Sequence, residues 1–266
     1  MSVNRRSFTA TANLLIALAG CGGETDAGLR GADAQIASSG EDQAHNTLTE
    51  TERAAGWRLL FDGATTAGWR GFGRDVFPDT GWAVVDGMLV VGATATDPDL
   101  PIGGDIVTTG SFASFELVFD FRLSEVANSG VFYRVQELPG HAIWELAPEF
   151  QVLDDDAYLA MDEGMDMEKH LTGDNYDLQS AESRPHRPLG EWNTGRILVN
   201  GSHVEHWLNG PKVLGYELGS PDWEAQVASS KFEPYPEYGR AASGPIGLQD
   251  HGRLVWYRNL KIRPLP

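Results

Sequence analysis

Near the C-terminal end, Gln249, Asp250 and His251 follow the apolar run Gly244-Pro245-Ile246-Gly247-Leu248 and precede Gly252. An imidazole exchanges protons near neutral pH, which makes His251 either a candidate acid or base or a turn histidine satisfied by backbone groups. On a strand, neighbouring side chains point to opposite faces; Gln249 and His251 therefore share one face, and Asp250 reads as a structural or loop-fixing residue. Upstream, Glu149, Gln151 and Leu153 alternate with Phe150, Val152 and Asp154. A face that sets a carboxyl beside an amide is costly as core, so it is either the wall of a polar cleft or a solvated outer surface.

Four more residues are chemical candidates. Lys231, between Ser230 and Phe232, reads by itself as a surface cation in an acidic chain. Arg134, at the end of the run Val131 to Val135, can serve substrate oxygens, Glu149 or a structural ion pair. Trp144, beside the Pro139-Gly140-His141 turn, is the tryptophan placed at a site, because an aromatic face suits the apolar face of a pyranose ring; most of the others read as core. Tyr176 stands with His170, Asp174 and the run Asp154-Asp155-Asp156, a set whose oxygens can hold a divalent cation, although no EF-hand spacing is present. There is no close His/Cys cluster for zinc, and no phosphate loop, nucleophile elbow or dinucleotide fingerprint.

Short β-rich runs must position these residues. Phe115, Leu117, Phe119 and Phe121 alternate with Glu116, Asp120 and Arg122, the period of a strand with one buried face. Asp86-Gly87, Asn200-Gly201 and Asn209-Gly210 mark hairpins that pair Trp82 to Val85 with Met88 to Val91, and Arg196 to Val199 with His203 to Leu208. With 31 glycines and little helical periodicity, the chain reads as antiparallel all-β, a sandwich or barrel. Two excursions break the rhythm, the acidic Asp154 to Asp174 with a short helix and Pro221 to Tyr238, which begins with a helical stretch. Long loops on a rigid sandwich commonly carry specificity.

At 266 residues and 41% hydrophobic content, the chain can form one large domain. Its net charge of −18 argues against nucleic acid as a partner, since neutralising phosphates takes clustered Lys and Arg. Residues 1–21 read as an export signal. Asn4-Arg5-Arg6-Ser7-Phe8 resembles a twin-arginine motif, and Leu18-Ala19-Gly20-Cys21 a lipobox that would make Cys21 the lipidation site. The expected protein is an exported, membrane-anchored lipoprotein facing the periplasm or cell exterior, touching the membrane through the lipid anchor only. Residues 22–55, poor in large apolar side chains, read as a disordered linker ahead of a domain at 56–266.

Several blocks together carry a resemblance. Leu60-Phe61-Asp62-Gly63, Trp82 with Asp86-Gly87, Asn128-Ser129-Gly130-Val131-Phe132-Tyr133-Arg134 and Ala147-Pro148-Glu149-Phe150-Gln151-Val152-Leu153-Asp154 come first. Gly190-Glu191-Trp192-Asn193, Glu205-His206-Trp207-Leu208-Asn209-Gly210, Ser230-Lys231-Phe232 and the Gly244 to Gly252 ending follow in order. From about Gly56 to Pro266 the chain resembles the 3-keto-disaccharide hydrolase family. The resemblance implies a concanavalin A-like jelly-roll β-sandwich with long loops and short helical excursions. It also implies cleavage of 3-keto-glycosides by elimination across C1–C2 and hydration, on a carbohydrate substrate supplied by a sugar 3-dehydrogenase. His251 or Glu149 would then be the base, with Gln151, Gln249, Lys231, Arg134, Trp144 and Tyr176 binding substrate. A non-catalytic lectin-like glycan-binding lipoprotein is the alternative, and the Glu-x-Asp-x-x-Glu pattern of a jelly-roll endo-glycosidase is absent.

Overall fold

The structure is a computed structural model that describes residues 45–92, 103–161 and 167–266. The signal at 1–21, Cys21 and the linker as far as residue 44 lie outside the described residues. Residues 45–55, expected within the linker, are instead attached to the domain. Asn46 and Asn259 exchange backbone-to-side-chain hydrogen bonds at 2.7 and 2.8 Å. The helix α1 (Glu50–Ala54) starts in a Thr49/Glu52 capping box, and Glu52 pairs with Lys261. Two acceptor-rich side chains and a cap offset the lack of apolar residues that made this stretch read as linker.

In chain order the first strands are β1 (Arg58–Leu59), β2 (Trp69–Gly71), β3 (Trp82–Val85), β4 (Met88–Val91), β5 (Ile106–Thr108), β6 (Phe115–Leu123) and β7 (Asn128–Phe132). They are followed by β8 (Glu149–Leu153), β9 (Asn193–Asn200), β10 (His203–Leu208), β11 (Lys212–Glu217), β12 (Gly247–Leu248) and β13 (Val255–Pro264). The larger sheet runs β11-β10-β9-β6-β13-β4-β3, with β1 also on β13, and the smaller runs β2-β5-β12-β7-β8. All these pairings are antiparallel. The result is the two-sheet jelly-roll sandwich that the strand pattern and the resemblance call for, with α2 (Asp155–Met161) and α3 (Pro221–Ala228) as its helical excursions.

Alternation explains how the sheets meet. Phe115, Leu117, Phe119 and Phe121 of β6 all point into the core and are fully buried. They face Phe150 and Val152 of β8, and Phe119 meets Phe150 edge to face at 5.4 Å. Two positive-φ residues let Asp86-Gly87 close the β3/β4 hairpin in the register Val85↔Met88. At the next hairpin Asn200 stays in β9, and the turn is made by Gly201 and Ser202.

Two expected strands are shorter than the apolar runs suggested. Regular pairing stops at Phe132 because Arg134 takes a φ of 51°, which turns the chain out of the sheet. In the Gly244 to Gly252 stretch only Gly247 and Leu248 are paired as strand, so Gln249, Asp250 and His251 sit on a loop beyond its end.

His206 of β10 is a buried polar anchor of the core. Its Nδ1 donates to the Gly173 carbonyl at 3.0 Å, which leaves Nε2 to accept from the Tyr133 hydroxyl at 2.9 Å. Burial pushes its pKa down to about 4, so folded protein binds the proton less readily than unfolded chain. The stability it contributes is intact above pH 6.5 and is lost as pH falls towards 4, by about 3 kcal/mol in all. Urea unfolding across that range should show the wild type losing this much more than His206→Gln; equal pH dependence of the two would refute the assignment.

Candidate active site

The smaller sheet has one face on the core and one face free. Since Phe150 and Val152 face inwards, Glu149, Gln151 and Leu153 must face the other way, and the structure builds a cavity of about 320 Å³ there. Glu149 and Gln151 form its floor and are almost fully buried. Gly130, opposite Gln151 on β7, is what makes room: a Cβ there would stand 1.8 Å from the Glu149 carboxyl.

Loops supply the walls. Trp144 lies in a single 3-10 turn, Ile143–Glu145, whose Ile143 and the following Ala147 pack with Val107, Phe132 and Val135 into a small apolar cluster. That cluster seats the Trp144 segment over the sheet. Tyr176 is tied to the floor by its own N–H, which donates to the Glu149 carbonyl at 3.2 Å. Lys231 follows α3, and its ammonium lies 3.9 Å from the Tyr176 ring centre and 4.5 Å from that of Trp144. Its backbone N–H donates to Asp177 at 2.9 Å, and the other Asp177 oxygen pairs with His170 at 2.9 Å. Asp177 thereby fixes the Tyr176 loop and the Lys231 loop to each other.

The remaining wall is the loop after β12. Gln249 is anchored by its N–H to the Gly130 carbonyl at 3.0 Å, and its own carbonyl accepts from Ser129. Asp250 accepts from the N–H groups of Gly103, Gly104 and Gly252, and its own N–H donates to Asp105 at 2.9 Å. Asp250 lines the cavity while acting as the clamp of this corner, and His251 stands at the exposed rim.

Burial sets the electrostatics. It raises the Glu149 carboxyl well above the usual carboxylate range; the Lys231 ammonium opposes this rise and Asp105 adds to it. Asp105 itself is pushed up to about 6, chiefly by burial. Lys231 is moved in the opposite sense, lowered by burial against the pull of Glu149 and Asp177. A carboxyl and an ammonium with pKa values drawn towards neutrality, in a polar cavity, suit proton transfer to and from a bound molecule.

Of the residues singled out in the sequence, Glu149, Gln151, Lys231, Gln249, His251, Trp144 and Tyr176 line this one cavity. Arg134 does not. Its guanidinium donates to the carbonyls of Ala113 and Gly201 away from the cavity, a backbone-bracing role that follows from the positive φ at its Cα. Asp105 and Asn128 line the cavity without having been singled out. Asn128 shares the outward parity of Gly130 on β7, a signal available in the sequence, whereas Asp105 reaches the site only through the pairing of β5 with β12.

Of the oxygens in the cation-ligand idea, those of Asp174 and one of Asp155 are already engaged. Both Asp174 oxygens accept hydrogen bonds, from Leu171, Ala181 and Arg184, and Asp155 accepts from Thr172. Among the described residues no group of three or more His, Cys, Asp or Glu side chains is arranged to hold a metal.

Residues 56–263 match the profile of the 3-keto-α-glucoside-1,2-lyase-like domain family. A 3-keto-disaccharide hydrolase of Bacteroides thetaiotaomicron is 34% identical over 235 residues, 80% of this chain and 79% of that protein. Among solved structures, a Parabacteroides distasonis protein provisionally described as a glycosyl hydrolase superposes with a TM-score of 0.74 at 37% identity. The match covers 84% of this chain and all of that one. A second protein of that organism, similarly described, has a TM-score of 0.59 at 27% identity, covering 79% and 99%.

The space above Gly130 gives a direct test. Gly130→Ala must displace the Glu149 carboxyl, and a misplacement of this size is expected to lower turnover about 100-fold while the sandwich stays folded. Full activity in a folded Gly130→Ala variant would mean that the carboxyl position does not matter.

Proposed function

The chain belongs to the 3-keto-α-glucoside-1,2-lyase-like family, and on that premise we propose that its cavity cleaves glycosides already oxidised at C3, by elimination across C1–C2 followed by hydration. The observation that carries this reading is the buried Glu149 carboxyl, raised in pKa and facing a polar cavity beside the Lys231 ammonium.

The chemistry starts from the ketone. A C3 carbonyl acidifies the proton on C2, and Glu149 takes that proton while the electron pair moves to the C3 oxygen as an enolate. Lys231 stabilises the negative charge there. When the enolate collapses, C1=C2 forms and the C1–O bond breaks, with the departing oxygen taking a proton from water at the His251 rim. Water then adds to C1, and C2 regains a proton, so no net oxidation or reduction occurs. Asn128, Gln151, Gln249 and Asp105 offer hydrogen bonds to ring hydroxyls. The ketone has to come from a separate sugar 3-dehydrogenation.

The pH dependence follows in sign from the two shifts. Glu149 must be ionised, so rate climbs with pH through a value well above the ordinary carboxylate range. Lys231 must stay protonated, so rate falls again below the usual lysine value of 10.5. Assay of a 3-keto-glucoside beside its parent glucoside should show turnover of the keto sugar alone, abolished in Glu149→Gln. Equal cleavage of both sugars, or of neither, would defeat the proposal, the latter favouring a glycan-binding protein.

A further inference from the structure

A second chamber of about 440 Å³ opens from the first, sharing Asn128, Gln151, Tyr176 and His251 with it. Its own walls are Leu153, Tyr158, Met167 and His170. Leu153 is the next outward-facing residue of β8 after Gln151, and it packs with Met167 and Leu171, flanked by Tyr158 of α2, as a small apolar cluster. The floor of one strand therefore changes character along its length: carboxyl, amide, then hydrocarbon.

The two chambers differ in what they can hold. Glu149, Asp105, Asp250, Lys231 and Gln249 all line the first chamber and none lines the second, where no carboxyl side chain is present among the described lining residues. A second sugar placed there would bring several hydroxyl groups to walls made chiefly of Leu153, Met167 and the rings of Tyr158, Tyr176 and His170, with Asn128, Gln151 and His251 only at the boundary shared with the first chamber. Each hydroxyl left there without a partner is penalised, because it gives up its hydrogen bonds to water. The polar groups at the boundary are partly spent: Gln151 Oε1 accepts from the Val152 N–H, and His170 is held by Asp177. A flat aromatic group has no such debt. It can stack on Tyr158 and Tyr176 and meet the Met167 sulfur, and the chamber is well above the ~150 Å³ that accommodates benzene.

We propose that this chamber is the site of the departing group and that it selects 3-keto-glycosides whose aglycone is a phenol over those carrying a second sugar. This rests on the first chamber being the ketosugar site. The chemistry agrees with the lining. In the collapse of the enolate the C1–O bond breaks with its electron pair on the phenolic oxygen, which leaves as phenolate and is protonated by water. Phenols ionise near pH 10, so their anions depart without a carboxylic acid to protonate them. The described residues of the chamber supply none.

The experiment uses the purified protein, wild type and Tyr158→Ala, with the 3-keto derivatives of phenyl, methyl and glucosyl glucosides in both anomers. Wild type is expected to prefer the phenyl compound, and Tyr158→Ala to lower kcat/KM for it by about tenfold while leaving the methyl compound unchanged. Preference for the diglucoside, or an equal loss on phenyl and methyl substrates, overturns the proposal. Binding of free 4-nitrophenol, followed by calorimetry, is the second readout. Binding by wild type that Tyr158→Ala abolishes supports the chamber's role even if no keto-sugar is cleaved, an outcome that would sink the elimination reading alone. No binding, or binding indifferent to the substitution, counts against the chamber.

Discussion

A carboxyl group taken out of water needs compensation, and the Glu149 side chain obtains only part of what it needs. Burial raises its pKa more than the nearby Lys231 ammonium lowers it, and no hydrogen bond from the described residues contributes to the balance. Such a group is expensive in a fold of this size, and the surrounding structure is arranged to hold it. Gly130 leaves the space its oxygens occupy, the Phe119–Phe150 contact fixes the strand that carries it, and Asp177 holds the Lys231 loop at the right height. The same unmet need is what a substrate proton can satisfy, so the cost in stability and the capacity for catalysis have one origin.

The division of labour between sheet and loops follows from this. The sheet determines where Glu149, Gln151 and Leu153 point, because strand parity leaves them no other direction once Phe150 and Val152 are in the core. The loops bring the cation, the aromatic surfaces and the rim histidine, each secured by a small device of its own. Trp144 rests on an apolar satellite cluster, Tyr176 hangs from the Glu149 carbonyl, and Asp250 gathers three backbone N–H groups at the corner. Lys231 lies against the rings of Trp144 and Tyr176, which keep its charge close to the cavity.

Much of the sandwich was legible in the chain, since period-two alternation and Asp-Gly or Asn-Gly turns are local signals and the strands they predict are the ones that form. The polar face of β8 was legible too, because Glu and Gln on one face of a strand have few explanations. Where reading failed, a backbone angle or a non-local pairing was the reason. Arg134 was open between substrate oxygens, Glu149 and a structural ion pair, and its positive φ sends it instead to backbone carbonyls elsewhere. Gln249 and His251 reach the cavity from a loop rather than by strand parity, so Asp250 lines it as well. Asp105 became part of the site only when β5 was laid beside β12, which no feature of its own neighbourhood announces. The stretch before Gly56 was misjudged because two asparagines and a capping box, not apolar residues, attach it.

Elimination and direct displacement of the glycosidic bond differ at one atom. In the route through Glu149 the hydrogen on C2 leaves with the base, and C2 is reprotonated from solvent during hydration. Turnover of a 3-keto-glucoside in D2O, stopped early and examined by NMR beside an enzyme-free sample of the product, reads that atom directly. The account predicts deuterium at C2 of the released sugar well above the enzyme-free level; retention of the original hydrogen at C2 in the released sugar would contradict it.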